Sequence, residues 1–331
     1  MKKFCIRLVG IFWCLNISGV SHASEIEPFQ TRNQNPFIPI FGLPVAEAGF
    51  ITQPGELKAA AFLDLSNSFS GSNLPGERVW IDGQTSRYTL LVRYGLSAAL
   101  EAGIEVPLVH QGGGSTDALI DNFHKLFGFS PAGRNRTARN QISYLYASNG
   151  VNQVNVNRSG MGVGDITLSG AYQQWGNTDT RSLALRAGLK LPTGESATLH
   201  GSGSTDLSLW LACSDPETFS AWDITVFGSI GALALGNAKV MQNVQRHAVA
   251  FGSMGLGWRV SESIVLKAQI DGHTPFYNSS LDELGLISAQ LVFGGSIDLS
   301  EKMALDIALS EDIVVASAPD IVFHLALRTK F

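Results

Sequence analysis

From Leu57 to the C-terminus, apolar and polar residues alternate along the chain with a period of two. Near the start of this region, Leu63 and Leu65 alternate with Asp64 and Ser66. Such alternation places the two sets of side chains on opposite faces of an extended strand. The pattern predicts about twelve strands, near residues 57–66, 87–96, 100–108, 163–175, 181–191, 204–213, 220–231, 248–260, 263–273, 287–299, 303–312 and 320–331.

The lengths of the predicted strands and of their connections indicate a membrane barrel. Most strands are close to the roughly 9–11 residues that a tilted strand needs to cross the hydrocarbon layer. Short connections such as 97–98 alternate with long ones such as 110–162, as in outer-membrane barrels. The sheet has to close because an open edge cannot lie in lipid. We therefore predict an all-β fold, a transmembrane antiparallel up-and-down β-barrel over residues 57–331. The alternative, a soluble β-sandwich, has no reason to segregate its loop lengths in this way.

The region before the barrel divides into two predicted parts. Residues 1–23 have a basic start, an apolar stretch and Ser21-His22-Ala23, the pattern of a cleaved signal peptide. Export through this leader predicts a location in the bacterial outer membrane. Residues 24–56 are rich in proline, which removes backbone donors and breaks both helices and sheets. We expect this part to be either a periplasmic segment or a plug of the lumen.

Composition and charge exclude several other classes of protein. The chain is 45% hydrophobic and 15% charged, which does not fit a disordered protein. Without Lys2, Lys3 and Arg7 of the leader, 20 basic residues face 28 acidic ones, a net charge of about −8 with no basic patch for nucleic acid. Only Cys213 remains after cleavage, so we expect no internal disulfide.

The last predicted strand ends in an aromatic residue. Its outward face would carry Phe323, Leu325, Leu327 and Phe331. This arrangement resembles the C-terminal signal by which the assembly machinery of the outer membrane recognises barrels. The machinery and the lipid and lipopolysaccharide of the outer membrane are therefore the expected partners. The sequence does not indicate an oligomeric state.

Charged residues occupy the strand face that would point into the lumen. Seven are basic and seven acidic, and such buried charges are tolerable when they are paired or hydrated. The set predicts either a lumen filled by ion pairs and water or a narrow pore whose charges select solutes. The predicted lumen-lining residues are Arg87, Arg93, Glu101, Glu105, Asp165, Arg186, Lys190, Asp206, Asp223, Arg259, Lys267, Asp271, Asp306 and Arg328.

The long connection 110–162 is where residues with other chemistry are found. The run from His110 to Ser115 is a glycine-rich turn without the nucleophile elbow of an esterase. Asp121 and His124 are too few for a metal or acid-base site, and we expect a short helix over the barrel mouth there. Three arginines of this connection could contact lipopolysaccharide phosphates; they are Arg134, Arg136 and Arg139.

One tripeptide in the same connection invites comparison with a membrane enzyme. Outer-membrane phospholipase, another twelve-stranded barrel, has a Ser-Asn-Gly site with a His two residues earlier. Here Ser148-Asn149-Gly150 is present, but Tyr146 stands at the His position. Without a base to accept its proton, Ser148 is interpreted as a turn residue. We therefore predict no catalytic residues, no cofactor and no metal site.

Several segments resemble the domain of unknown function family 3187, a group of gammaproteobacterial proteins. They are Arg32-Asn33-Gln34-Asn35-Pro36, Phe41-Gly42-Leu43-Pro44, Ile104-Glu105-Val106-Pro107, Phe123-His124, Phe127-Gly128, Gly162-Val163-Gly164-Asp165 and Leu191-Pro192-Thr193-Gly194. The last two also resemble outer-membrane transporters encoded near phenol-degradation genes. The resemblance implies a barrel and supplies neither a substrate nor catalytic residues.

Three functional hypotheses remain open at this point. The first is a non-enzymatic pore or transporter for small solutes or hydrophobic compounds. The second is a structural or adhesive barrel that binds a partner through residues 110–162. The third, an outer-membrane hydrolase of lipids or polymers, is disfavoured because the sequence shows no nucleophile-base pair at the strand ends.

Overall fold

A computed structural model describes residues 25–114, 141–314, 317–319 and 321–331. The predicted leader and the residues Asp121, His124, Arg134, Arg136 and Arg139 lie outside this part of the chain. Within it there are fifteen strands, and twelve of them form one closed antiparallel barrel. The predicted fold class is therefore confirmed.

The barrel consists of strands that pair with their neighbours in the order of the chain. They are β1 (Leu57–Leu74), β2 (Glu77–Gly95), β3 (Leu100–Gly112), β7 (Thr167–Trp175), β8 (Ser182–Lys190), β9 (Asp206–Phe219), β10 (Ile224–Leu235), β11 (Ala248–Ser261), β12 (Ile264–His273), β13 (Ser288–Ser300), β14 (Met303–Asp312) and β15 (Ile321–Lys330). The barrel closes because β1 pairs with β15, from Lys58 opposite Lys330 to Asn67 opposite Ile321.

Alternation along each strand gives the barrel an apolar outside. In β10, Ile230 is 70% exposed, whereas the preceding inward residue but two, Phe227, is buried. In β15, Leu325 and Leu327 are exposed and the intervening Ala326 is buried. An outward apolar face is what a bilayer requires of its barrels.

Exposed aromatic side chains gather at the end of the barrel that carries the short turns. They are Tyr94, Tyr172, Trp175, Phe219, Trp222, Trp258 and Phe331. Aromatic residues favour the interface between hydrocarbon and water, so this ring marks one membrane boundary. We call this end of the barrel the short-turn end; in outer-membrane barrels it faces the periplasm.

Three further strands lie within the segment that was predicted to be a loop, residues 110–162. They are β4 (Ser143–Ser148), β5 (Val151–Val156) and β6 (Gly160–Val163). β4 and β5 form a hairpin joined by Asn149 and Gly150, which have φ angles of 50° and 79°. The prediction of a continuous loop was wrong, because an Asn-Gly pair supplies the two left-handed residues of a tight hairpin turn.

The first hairpin is longer than its alternation predicted. β1 and β2 have 18 and 19 residues, and β4 pairs with the extension of β2 from Glu77 to Asp82. The extension lies beyond the membrane and has no lipid-facing stripe, so a search for apolar alternation ends too early. The remaining regular elements are short: a one-turn α-helix, α1 (Asp282–Gly285), and two 3₁₀ turns. No helix among the described residues is long and apolar enough to span a membrane.

The long-loop end of the barrel is closed by an apolar core. Inward side chains of the strand extensions pack there against residues of the long connections. Tyr144, Tyr146, Tyr277, Phe276 and Leu281 belong to this core, and each is at most 1% exposed. We call this region the cap. It packs like the interior of a soluble protein and blocks that end of the lumen.

Candidate functional site: the lumen and the N-terminal segment

Residues 25–56, the N-terminal segment, form a hairpin inside the barrel. An ascending limb (25–36) leads from the short-turn end to an apex (37–41), and a descending limb (42–56) returns to the short-turn end. At the start, Lys330 pairs with Glu25 at 3.3 Å; at the finish, Gly55 donates a backbone hydrogen bond to Gly95. The prolines of the segment suit this path because it forms no sheet ladder with the wall.

The ascending limb is attached through its odd-numbered residues to β12 and β13. Gln269 bonds both backbone groups of Phe29, accepting from its N–H at 2.9 Å and donating to its carbonyl at 3.0 Å. The Thr31 hydroxyl donates to Asp271 at 2.6 Å. Asn33 places its amide nitrogen 3.1 Å from the Ser288 hydroxyl. These contacts fix one face of the limb to one wall of the barrel.

The apex lies in the cap. Phe37 and Phe41 are fully or almost fully buried, and the Phe41 ring stacks on Phe276 with centroids 5.2 Å apart. The Tyr277 hydroxyl donates to the Phe37 carbonyl at 2.8 Å. Burial raises the pKa of Tyr277 well above its usual value, so this hydroxyl stays protonated and can donate. The apex is thus held by apolar packing and one buried hydrogen bond.

The descending limb is attached by charge to β2, β3 and β8. Glu47 pairs with both Arg93 and Arg186. Arg186 also bonds Glu101 at 3.0 Å and donates to the Phe50 carbonyl at 2.7 Å. Charge-assisted bonds of this kind are about twice as strong as neutral ones. Glu47 is therefore the residue through which the limb links two strands of the wall.

Two further ion clusters line the lumen. Lys190 contacts Asp165 at 2.7 Å and Asp206 at 3.1 Å, and it donates to the backbone of the apex at 3.1 Å. Asp306 accepts from Lys267 at 3.4 Å and from Arg328 at 3.0 Å. Every one of these side chains is largely buried, so each charge depends on its partners.

Twelve of the fourteen predicted lumen-lining residues contact the lumen or the segment, in four clusters. Arg93, Glu101 and Arg186 form one, Lys190, Asp165 and Asp206 another, and Lys267, Asp306 and Arg328 a third. Arg87 and Glu105 form the fourth, 3.7 Å apart. Asp271, as described, accepts from Thr31.

Two of the predicted lumen residues lie elsewhere. Asp223 is exposed at the short-turn end, where it ends the 3₁₀ turn of residues 220–222 with a φ of 55°. Its placement in the lumen was wrong because β10 begins only at Ile224. Arg259 lies at the same end of the barrel, partly buried, and pairs with Asp298 at 3.1 Å.

Several charged residues of the lumen were not predicted from the sequence. Glu27, Arg32 and Glu47 belong to the N-terminal segment, whose path no sequence pattern reveals. Asp64 and His324 lie 2.6 Å apart on β1 and β15. Both stand on the polar face of their strands, and this signal could have identified them.

Other residues considered from the sequence have ordinary structural settings. His110 is exposed on the outside of β3, and Ser148 ends β4 beside its hairpin turn. The Tyr146 hydroxyl donates to Glu77 at 2.8 Å. Among the described residues, no three His, Cys, Asp or Glu side chains are placed to hold a metal ion. Phe323, Leu325 and Leu327 lie along β15 and Phe331 follows it; their role in assembly stays a prediction.

These features define a transmembrane β-barrel whose lumen holds its own N-terminal segment. The chain belongs to the family described as "Protein of unknown function (DUF3187)", whose model matches residues 5–331. The resemblance seen in the sequence is thereby confirmed. No curated protein has a significant match to the chain.

Solved outer-membrane channels have a similar fold. The COG4313 outer membrane channel from Pseudomonas putida F1 has a TM-score of 0.57 and 14% identity, covering 85% of this chain and 97% of that one. The toluene transporters TodX of Pseudomonas putida and TbuX of Ralstonia pickettii have TM-scores of 0.36 and 0.40. Their identities are 11% and 8%; 85% of this chain is covered in both, with 91% and 90% of theirs. The barrel thus resembles outer-membrane channels.

Proposed function

We propose that this protein is a non-enzymatic outer-membrane channel for small molecules and that residues 25–56 are its internal gate. The observation that carries the proposal is the hairpin of the N-terminal segment, which occupies the lumen through non-covalent contacts. Both ends of the hairpin lie at the short-turn end, so its limbs can shift without unthreading the chain. The similarity of the fold to that of solved channels supports the same class of function.

The contacts of the two limbs suit a gate better than a permanent core. They are mostly hydrogen bonds and ion pairs, such as Thr31 with Asp271 and Glu47 with Arg93. When such groups separate inside a lumen, water can replace each lost partner, and the net cost of a hydrogen bond is then only about 0.5–1.5 kcal/mol. An apolar plug would have no such replacement.

A reversible tether between the limb and the wall tests the gate. Asn33→Cys and Ser288→Cys place two thiols where the native side-chain atoms are 3.1 Å apart, in a Cys213→Ser background. We expect oxidation to suppress channel openings in planar bilayers and reduction to restore them. Each single-cysteine variant, treated in the same way, is the control.

Two results would reject parts of the proposal separately. Openings that persist in the oxidised double variant, with the disulfide verified by mass spectrometry, would show that the ascending limb is not the gate. If the native chain and the reduced variant pass neither ions nor small sugars, the channel itself is rejected.

A further inference from the structure

The two faces of the ascending limb differ in how completely their polar groups are bonded. The odd-numbered residues bond β12 and β13, as described above. On the even face, neither amide atom of Gln34 has a hydrogen-bond partner among the described residues, although Gln34 is only 1% exposed. The Oε1 atom of Gln30 also has none. Buried polar groups in native proteins are normally bonded to protein or water, so this face needs a polar occupant.

The wall opposite the even face is also polar. Arg32 reaches it with a 2.6 Å ion pair to Glu105 of β3. Period-two alternation directs Gln30 and Gln34 to the same side as Arg32. The inward residues of the adjoining strands at this height are buried and hydrophilic; they are Asp64, Ser66, Thr85, Arg87 and Thr89. Arg87 has an unbonded Nε, and on β15 the Nε2 of His324 is unbonded as well.

Cavities adjoin both ends of this polar contact zone, which we call the seam. At the short-turn end, Gln30 lines a cavity together with Lys58, Arg93 and Arg328; its volume is about 500 Å³ including the part open to solvent. At the long-loop end, Asn35 lines one of about 260 Å³ with Ser68 of β1. The Arg32–Glu105 ion pair crosses the seam between them and forms its narrow part.

The chemistry of the seam favours one class of solute. Each group that faces it is a hydrogen-bond donor or acceptor, and the Gln34 amide offers both. A small sugar or amide could bond these groups as it passes. A hydrocarbon would displace water and leave them unsatisfied, which costs about 1–3 kcal/mol for each group. Water alone can occupy the seam when no solute is present.

We infer that solutes cross the barrel along the seam, between the even face of the ascending limb and the wall of β1–β3, and that they are small, neutral and hydrophilic. This inference rests on the proposed channel function and names its route and substrate class. The odd face serves as the anchor of the limb and stays out of the route.

Cysteine accessibility tests the route without requiring transport. In the Cys213→Ser background, Gln34→Cys and Ser66→Cys lie in the seam, and Thr31→Cys and Asn33→Cys lie on the anchored face. We expect a small water-soluble methanethiosulfonate reagent to modify the seam cysteines about tenfold faster. Equal or slower modification of the seam cysteines would overturn the route and leave the channel proposal standing.

Solute uptake tests the substrate class. Gln34→Leu removes the amide at similar size, and Gln53→Leu makes the same change at an exposed position of the segment. We expect Gln34→Leu, but not Gln53→Leu, to slow arabinose-driven swelling of proteoliposomes several-fold. In cells, entry of the hydrophobic probe N-phenyl-1-naphthylamine should not rise. Faster probe entry with unchanged arabinose entry would show that the seam carries hydrophobic compounds instead. Failure of arabinose to enter with the native chain, while seam cysteines still react, would reject transport and not water access.

Discussion

Replacing Glu47 with glutamine should release the descending limb from the barrel wall. Glu47 is buried and pairs with both Arg93 and Arg186, so the Glu47→Gln variant loses two ion pairs at nearly unchanged volume. Removing one partner of a buried ion pair typically costs about 3–5 kcal/mol. Because Glu101 remains beside both guanidinium groups, at 3.7 and 3.0 Å, we take the lower value.

A change of about 3 kcal/mol shifts the ratio of docked to undocked limbs by roughly 150-fold. If undocking opens the channel, the open probability in planar bilayers should rise by up to that factor, until it saturates. The matched control is Glu217→Gln, which alters an exposed contact with Arg181 at 3.7 Å, the kind of surface pair that contributes at most about 1 kcal/mol. Heat-modifiable migration on gels verifies that both barrels are folded. An open probability equal to that of the native protein would refute the role of the descending limb.

Three other variants or conditions test the structure at separate places. Gly49→Ala should also dislodge the descending limb and raise the open probability, because its Cβ would collide with the backbone of Ser182 and Ser214; Gly170→Ala, with open space around it, should have no effect. Lys190→Met leaves Asp165 and Asp206 without their shared cation, so the unfolding free energy in urea should fall by about 3 kcal/mol or more, and a loss below 1 kcal/mol would contradict the pairing. Burial lowers the pKa of His200 below its model value of 6.5, so its contribution to stability is present above pH 6.5 and is lost as the pH falls below it. Hydrogen exchange of residues 196–204, corrected for the intrinsic rate, should therefore accelerate on acidification in the native protein and not in His200→Gln.

The barrel could be predicted from the sequence because the membrane imposes its pattern on each strand separately. Leu325, Leu327 and their counterparts must face lipid wherever they stand in the chain, so alternation alone identifies the strand. Where no lipid is present, the pattern disappears. The extensions of β1 and β2 and the β4–β5 hairpin were missed for this reason, although Asn149-Gly150 was a local turn signal that was available.

The lumen could be predicted only in part because its contacts join distant residues. Thr31 bonds a residue 240 positions away in the chain, and Arg32 bonds one 73 positions away. The wall residues were recognised from the polar face of their strands. Their partners Glu27, Arg32 and Glu47 were not, because a proline-rich segment has no period that shows which side chains point to the wall. The exposed position of Asp223 depends on one left-handed residue at the end of a 3₁₀ turn, which alternation does not detect.

The distribution of polar and apolar contacts along the hairpin indicates which part of it moves. The apex buries Phe37, Ile38, Ile40 and Phe41 in the cap. Exposing four large side chains would cost on the order of 6–12 kcal/mol at about 1.5–3 kcal/mol each, and water would not offset this cost. The limbs contain most of the polar contacts, whose partners water can replace. Opening should therefore begin in the limbs, at the short-turn end, while the apex remains packed as a fixed pivot. Phe41→Ala should destabilise the cap without raising the open probability as Glu47→Gln does, and an equal or larger rise in Phe41→Ala would show that the whole hairpin leaves the lumen together.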